Sequence, residues 1–312
     1  LSMAGKVVLK SKDAFKPKEI IVNIDRPLMV IPNLAIHFNR EVNNGYKYNA
    51  QIDTLPLLGL ISENLEKDNY ILKVIANELN VDMKEIIDFE LYLYEYEKGT
   101  IMGLNDEFIS SSRLDDLWMV YAGLEALLNS TEVIDETKVL VCLDNEEIGG
   151  ATAEGADSLL LRDTLERINL SFRECKEDLF ISLSKSIMIS ADLAHAIHPN
   201  YIDKHDLSNR PVLGEGPVIK YSSNQKYTTS CVSASVFAGV CEAVNVPFQK
   251  FVNRSDIVGG STISRFISSN LGITVIDMGA PLLAMHSIRE LGTVKDNYYT
   301  IEAFTSFFSY KA

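Results

Sequence analysis

The chain has 312 residues, of which 46% are hydrophobic and 23% charged, and its formal net charge at pH 7 is -14. This composition is typical of a soluble globular protein, and the length suffices for one large domain and a smaller one. The negative charge argues against a nucleic-acid partner and against an anionic membrane surface, and no apolar run is long enough to span a bilayer. Because the four cysteines show no metal-binding spacing, we expect free thiols and a cytoplasmic protein.

The first hundred residues predict a smaller, β-rich domain, which we place at residues 1–107. Short runs rich in β-branched or aromatic residues are typical of strands. Such runs occur at residues 5–9, 20–24, 28–31 and 88–96. A helix is predicted near Tyr70–Leu79.

From about residue 108 the chain alternates between helical and strand patterns. Helices are predicted at residues 114–128, 157–168, 174–184, 228–243, 262–269 and 300–308. Strands are predicted at residues 139–143, 186–189, 248–252 and 273–277. The alternation predicts an α/β fold in which a mostly parallel sheet is flanked by helices, and we assign residues 108–312 to this domain.

The predicted strand at residues 139–143 ends at a cluster of acids, Asp144-Asn145-Glu146-Glu147. Open α/β sheets place their sites beyond the carboxyl ends of the strands. Adjacent carboxylates there repel each other unless a cation lies between them or one takes up a proton. In a hydrolytic metal site, one carboxylate binds the metal while its neighbour acts as general base. The alternative is a helix start, whose dipole attracts acids.

Three further residues at element ends complete a set of potential metal ligands. Asp115 lies at a predicted helix start, Asp192 follows a predicted strand, and His286 lies in an apolar run. Taken singly, they could be a first-turn acid, an N-cap and a core histidine. Taken together, carboxylate and imidazole are the ligands of two-zinc hydrolytic sites, in which an aspartate bridges both ions.

Several motifs resemble those of the M18 metalloaminopeptidases, the group of aspartyl aminopeptidase and aminopeptidase I. The matching stretches are residues 31–37, 112–116, 144–149, 190–201, 218–227 and 283–290. They follow one another in order over nearly the whole chain. The resemblance therefore implies a zinc-peptidase-like catalytic domain with a smaller β-rich dimerisation domain, and removal of N-terminal residues from peptide substrates.

The resemblance also implies a role for each site residue. Asp115 would bridge two metal ions, Glu147 and His286 would complete one metal site, and Asp192 would belong to the other. Glu146 would be the general base. The ions would be two divalent metals, most readily Zn²⁺, with Co²⁺ or Mn²⁺ as alternatives.

Two more residues are assigned by the resemblance alone. Lys220 would lie on the substrate side, where its charge suits an acidic first residue. His37 would reach the active site of a neighbouring subunit, in a homodimer that builds to a homododecamer. For His195 and His198 we expect structural roles.

The sequence departs from the family pattern in two places. Asp116 stands where the family has asparagine. None of the five histidines lies in the H-x-D motif that supplies the family's first metal ligand, so we expect the N-terminal catalytic segment to be absent from this chain. The alternatives are a catalytically inactive M18-like binding or assembly protein, and a related dizinc deacylase or carboxypeptidase.

Overall fold

The structure is a computed structural model that describes residues 1–60, 69–172 and 175–311. The chain divides into two compact units, Leu1–Lys98 and Gly99–Ala312. The sequence predicts the boundary between residues 107 and 108. The structure places it earlier because strand Thr100–Met102 pairs with Phe108–Ser111 of the second unit.

The first unit is built on an antiparallel sheet of three strands, β1 (Ser2–Leu9), β2 (Lys18–Asn23) and β3 (Ile86–Tyr94), in the order β2-β1-β3. Helix α1 spans Tyr70–Leu79, as the sequence predicts. Its residue Ile75 joins Val7 and Ile24 in a buried core.

The strand predicted at residues 28–31 is wrong. Within the described residues, Val30 forms a single isolated bridge with Leu57 and no continuous ladder. An apolar β-branched run becomes a strand only where a second backbone lies alongside it, and this condition is not visible in the local sequence.

The second unit contains the remaining elements. Its helices are α2 (Leu114–Asn129), α3 (Leu160–Ser171), α4 (Lys176–Lys185), α5 (Cys231–Ala243), α6 (Ser264–Leu271) and α7 (Val294–Ser309). Its strands are β4 (Thr100–Met102), β5 (Phe108–Ser111), β6 (Ile187–Ala191), β7 (Ala194–His195), β8 (Val218–Tyr221), β9 (Gln249–Val252), β10 (Thr274–Gly279), β11 (Pro281–Leu282) and β12 (Glu290–Thr293).

The main sheet of this unit has the strand order β6-β10-β8-β9. The outer pairs β6–β10 and β8–β9 are parallel, and the central pair β10–β8 is antiparallel. Two smaller sheets accompany it, the parallel pair β11-β7 and the antiparallel sheet β12-β5-β4. This mixed α/β architecture agrees with the predicted fold class.

The largest apolar core lies between the main sheet and three helices. Ile276 and Met278 of β10 pack in one cluster with Trp118 of α2, Phe237 of α5 and Phe304 of α7. Strand β10 is buried from Val275 to Gly279, including Asp277, whose carboxylate accepts hydrogen bonds from Thr228 and Thr262. Burial of these aromatic and aliphatic side chains is the main force that fixes the ends of the strands, where the candidate site lies.

Two sequence predictions in this unit are wrong. Residues 139–143 form no strand in the described structure, although Leu140 packs against the core cluster. The last helix begins at Val294 and not at residue 300, because the Thr293 side chain accepts a hydrogen bond from the Asp296 amide and caps it. Among the described residues, no helix combines the length and the apolar character needed to cross a bilayer.

Candidate metal centre

Four separate segments of the second unit supply the predicted ligands. Asp115 lies at a kink in the first turn of α2, a few residues after β5. Glu147 lies in a short 3₁₀ turn, Glu146–Ile148. Asp192 directly follows β6, and His286 lies in the loop between β11 and β12. The sheets thus bring together residues that are far apart in sequence.

These residues form two groups that share Asp115. In one group, His286 Nε2 lies 3.2 Å from Asp115 Oδ2 and 3.2 Å from Glu147 Oε2. In the other, carboxylate oxygens of Asp115, Asp116 and Asp192 lie within 4.8 Å of one another. Each group could hold one metal ion, and an aspartate common to both is the arrangement that bridges two ions.

The burial of the carboxylates fits a cation. Asp115 Oδ1 and Asp116 Oδ1 are buried and accept no hydrogen bond from the described part of the chain. Burial, followed by the nearby Asp192, raises the pKa of Asp115 to about 8 and that of Asp116 to about 9. Unsatisfied buried oxygens and clustered like charges are both costly, and a bound dication would offset both costs. Oxygen and imidazole donors in this number suit zinc.

Glu146 lies beside this cluster without belonging to either group of potential ligands. Burial, then the charges of Asp192 and Glu147, raises its pKa to about 7. A carboxylate with a pKa near neutrality is suited to accept and return a proton at physiological pH. The geometry therefore separates Glu146 from Glu147, which lies with His286.

Lys220 of β8 is buried and points at Asp192. Its Nζ lies 3.1 Å from Asp192 Oδ2 and 3.1 Å from the carbonyl oxygen of Leu193. Burial lowers the pKa of Lys220, but Asp192 and Asp277 outweigh burial and the pKa is raised overall. The lysine therefore supplies a fixed positive charge next to the second group of carboxylates.

Comparison with known proteins decides the family. The family model described as aminopeptidase I zinc metalloprotease (M18) matches residues 1–308. The chain belongs to the M18 family. The expected class of metal-dependent aminopeptidases is thereby confirmed at the level of the family.

Individual relatives agree with this assignment. The M18 chain is 55% identical to a probable M18 family aminopeptidase 2 of Clostridium acetobutylicum, over 99% of this chain and 71% of the relative. Among solved structures, it superposes with a TM-score of 0.91 and 37% identity on a chain in the complex of Ape4 and Nbr1, covering 99% of this chain and 62% of that one. It also matches the mApe1 dodecamer of S. cerevesiae with a TM-score of 0.80 and 26% identity, covering 99% and 68% of the two chains.

Three predicted histidines lie outside the two groups of ligands. His37 of this M18 protein is exposed and lies in a turn of the first unit. His195 lies in β7, with its ring edge-on to Phe251. His198 accepts a hydrogen bond from the Asn200 amide through Nδ1.

Sequence analysis missed two residues of the site. We treated Asp116 only as a departure from the family pattern, although its position next to Asp115 was a usable signal. Glu290 went unmentioned as a site residue, although it lies in the stretch 283–290 that matches the family. Its carboxylate accepts hydrogen bonds from the amides of Asp115 and His286, and these contacts depend on the fold.

Proposed function

We propose that the protein is a two-metal aminopeptidase that removes the first residue of a peptide by hydrolysis. The observation that carries this proposal is the position of Asp115 in both groups of potential ligands. Asp115, Glu147 and His286 would hold one ion, and Asp115 with Asp192 would take part in holding the other. Asp116, whose oxygen lies in the second group, would contribute there. Bound zinc would polarise the scissile carbonyl and activate water.

In this proposal, Glu146 transfers the proton. Its carboxylate would take a proton from the attacking water and deliver it to the nitrogen of the leaving amine. The raised pKa suits both steps, since the group must be deprotonated at first and protonated afterwards. The carboxylates of the cluster would also attract the positively charged amino terminus of the substrate.

Lys220 and His37 are proposed to act on the substrate. An ammonium group has three N–H donors, and Lys220 uses two of them for Asp192 and Leu193. The third would be available to an oxygen of the substrate, and an acidic first residue would gain most from it. His37 is exposed in the first unit, which is compatible with delivery to the site of a second copy in a dimer and a dodecamer. There its imidazole would stabilise the developing oxyanion.

Two glutamate variants test the proposed roles of Glu146 as general base and Glu147 as metal ligand. Glu146→Gln should retain both metal ions and reduce turnover by at least roughly a hundredfold, the usual contribution of general-base catalysis. Glu147→Gln is the matched control, because it should lose metal from the site of His286. Normal turnover by a Glu146→Gln protein that holds both ions would show that Glu146 is not the base.

Substrate panels separate the other candidate functions. A metal-loaded protein that cleaves no peptide would be a binding or assembly protein. Preference for N-acylated over free-amine peptides would indicate a deacylase, and release of the last residue a carboxypeptidase. The role of His37 is tested by mixing His37→Ala and Glu146→Gln proteins, since a mixed dimer would contain one site with both groups. Verified mixed dimers without recovered activity would exclude the shared site.

A further inference from the structure

We propose that Glu290 is a positioning residue that holds two ligands of one metal ion through their backbone amides. Glu290 Oε2 accepts a hydrogen bond from the Asp115 amide at 3.0 Å, and Oε1 accepts one from the His286 amide at 2.7 Å. Glu290 belongs to neither group of potential ligands, so it acts through the two residues that it holds. This inference rests on the proposed metal-dependent function.

The position of Glu290 follows from strand pairing. In β12, Glu290 lies opposite Ser111 at the end of β5, a few residues before Asp115. Leu291 pairs with Leu283, and this bridge closes the loop that carries His286. Glu290 therefore stands where the two ligand-bearing segments meet, and one side chain can reach both.

Each amide that Glu290 binds has a reason to need an acceptor. The backbone of Asp115 is not helical (φ -80°, ψ 116°) and forms a kink at the start of α2, so no helical carbonyl is available to its amide. His286 has a φ of 64°, in the left-handed region that non-glycine residues adopt rarely and only when their surroundings hold them there. The hydrogen bond that the His286 amide donates to Glu290 helps to hold His286 in that conformation.

The burial of Glu290 prevents water from replacing its hydrogen bonds with the two amides. Its relative exposure is 2%, so the carboxylate cannot exchange these hydrogen bonds for water without loosening the loop. Bonds from amides to a buried carboxylate are charge-assisted and stronger than neutral ones. Because both bonds end on one rigid group, they fix the separation of Asp115 and His286, whose side chains already lie 3.2 Å apart.

The test measures zinc affinity and does not depend on catalysis. Glu290→Gln keeps the size of the side chain, but its NH₂ group cannot accept a hydrogen bond, so one amide loses its acceptor. Titration of the metal-free 312-residue protein with Zn²⁺ against a chromophoric chelator should show one site weakened by roughly 10- to 100-fold, as for other residues that orient metal ligands. The same site should be lost in His286→Ala, which identifies it. The visible spectrum of the Co²⁺-loaded variant should also differ from that of the wild type.

Asp296→Asn is the matched control. Asp296 is likewise buried and accepts two backbone amides, from Gly214 at 2.6 Å and Gly216 at 2.8 Å, but it contacts no proposed ligand. A purely structural effect should therefore appear equally in both variants, whereas a positioning effect should weaken zinc binding only in Glu290→Gln.

The outcomes separate the inference from the proposed function. Unchanged zinc affinity in a folded Glu290→Gln protein, or equal weakening in Asp296→Asn, would overturn the positioning role while leaving the metal site intact. Failure of the wild type to bind zinc would instead reject the proposed function. If Glu290→Gln does not fold, Glu290→Asp keeps the charge but is too short to reach both amides, and it should show the same weakening. Misfolding of both variants would make Glu290 a folding residue and overturn the proposal.

Discussion

The buried pair of Lys220 and Asp192 allows a quantitative prediction about stability. The Lys220 side chain is 3% exposed and that of Asp192 is 19% exposed, so water screens the pair weakly. Lys220→Met retains most of the apolar stem but removes the charge, leaving Asp192 with Asp115 and Asp116 and no cation. Removing one partner from a buried ion pair costs about 3–5 kcal/mol, and the partial exposure of Asp192 favours the lower end.

The predicted loss should be visible in thermal unfolding of the metal-free protein. A loss of about 3 kcal/mol corresponds to a decrease in Tm of roughly 6–12 °C for a unit of this size. Saturating zinc should reduce the difference between variant and wild type, because the metal supplies positive charge to the same carboxylates. Circular dichroism melts with chelator and with zinc measure both effects.

Lys226→Met provides the control for this prediction. The Lys226 ammonium donates to the carbonyl of Gly259 and has no carboxylate partner among the described residues. Its replacement should cost less than that of Lys220 and should not respond to zinc. Equal losses in the two variants, or a Lys220→Met deficit that zinc leaves unchanged, would refute the argument from the buried pair.

Further predictions concern His286, two glycines and removal of the metal. His286→Ala should reduce the stabilisation of the protein by zinc, as thermal melts with and without the metal would show, because it removes one imidazole ligand from the group with Asp115 and Glu147. A Cβ at Gly292 would overlap the Trp118 ring, so Gly292→Ala should cost about 1–3 kcal/mol in urea unfolding. Gly239→Ala in α5 meets no atom within 4 Å and should instead stabilise by up to about 1 kcal/mol. Chelation should abolish peptide hydrolysis, and added zinc should restore it in a direct assay.

Local sequence patterns predicted the elements whose formation does not depend on a partner far away in the sequence. Helix α1 has the bounds that its periodicity indicates, and β10 (Thr274–Gly279) forms where a strand is predicted at residues 273–277. Strand β8 was missed because Lys220 interrupts its apolar pattern. The lysine is buried there only because Asp192, 28 residues away, supplies the opposite charge. The sequence cannot show such a partner until the fold is known.

The site likewise contains residues that local motifs identify and residues whose partners depend on the fold. Motifs in the sequence identified Asp115, Glu147 and His286 as potential ligands, and the structure brings these residues together. The role that we infer for Glu290 was not accessible in this way, because a glutamate that binds two backbone amides has no characteristic spacing. Its partners are set by the pairing of β12 with β5 across more than half of the chain.

The apolar run at residues 139–143 supports a last prediction, because its sequence is typical of a buried strand but it is not one here. Val139 is 48% exposed and Val141 is 38% exposed, and within the described chain the backbone of this segment forms no hydrogen bond with a strand. Its amides should therefore exchange with deuterium at close to the unprotected rate, since their opening costs almost no free energy. Amides of β10, which pair on both sides, should exchange slowly and serve as the internal control. Residue-resolved exchange of the 312-residue protein measures both. Strong protection at residues 139–143 would mean that another backbone pairs with this segment in solution. Such pairing is typical of an extended apolar segment whose N–H and C=O groups are unpaired.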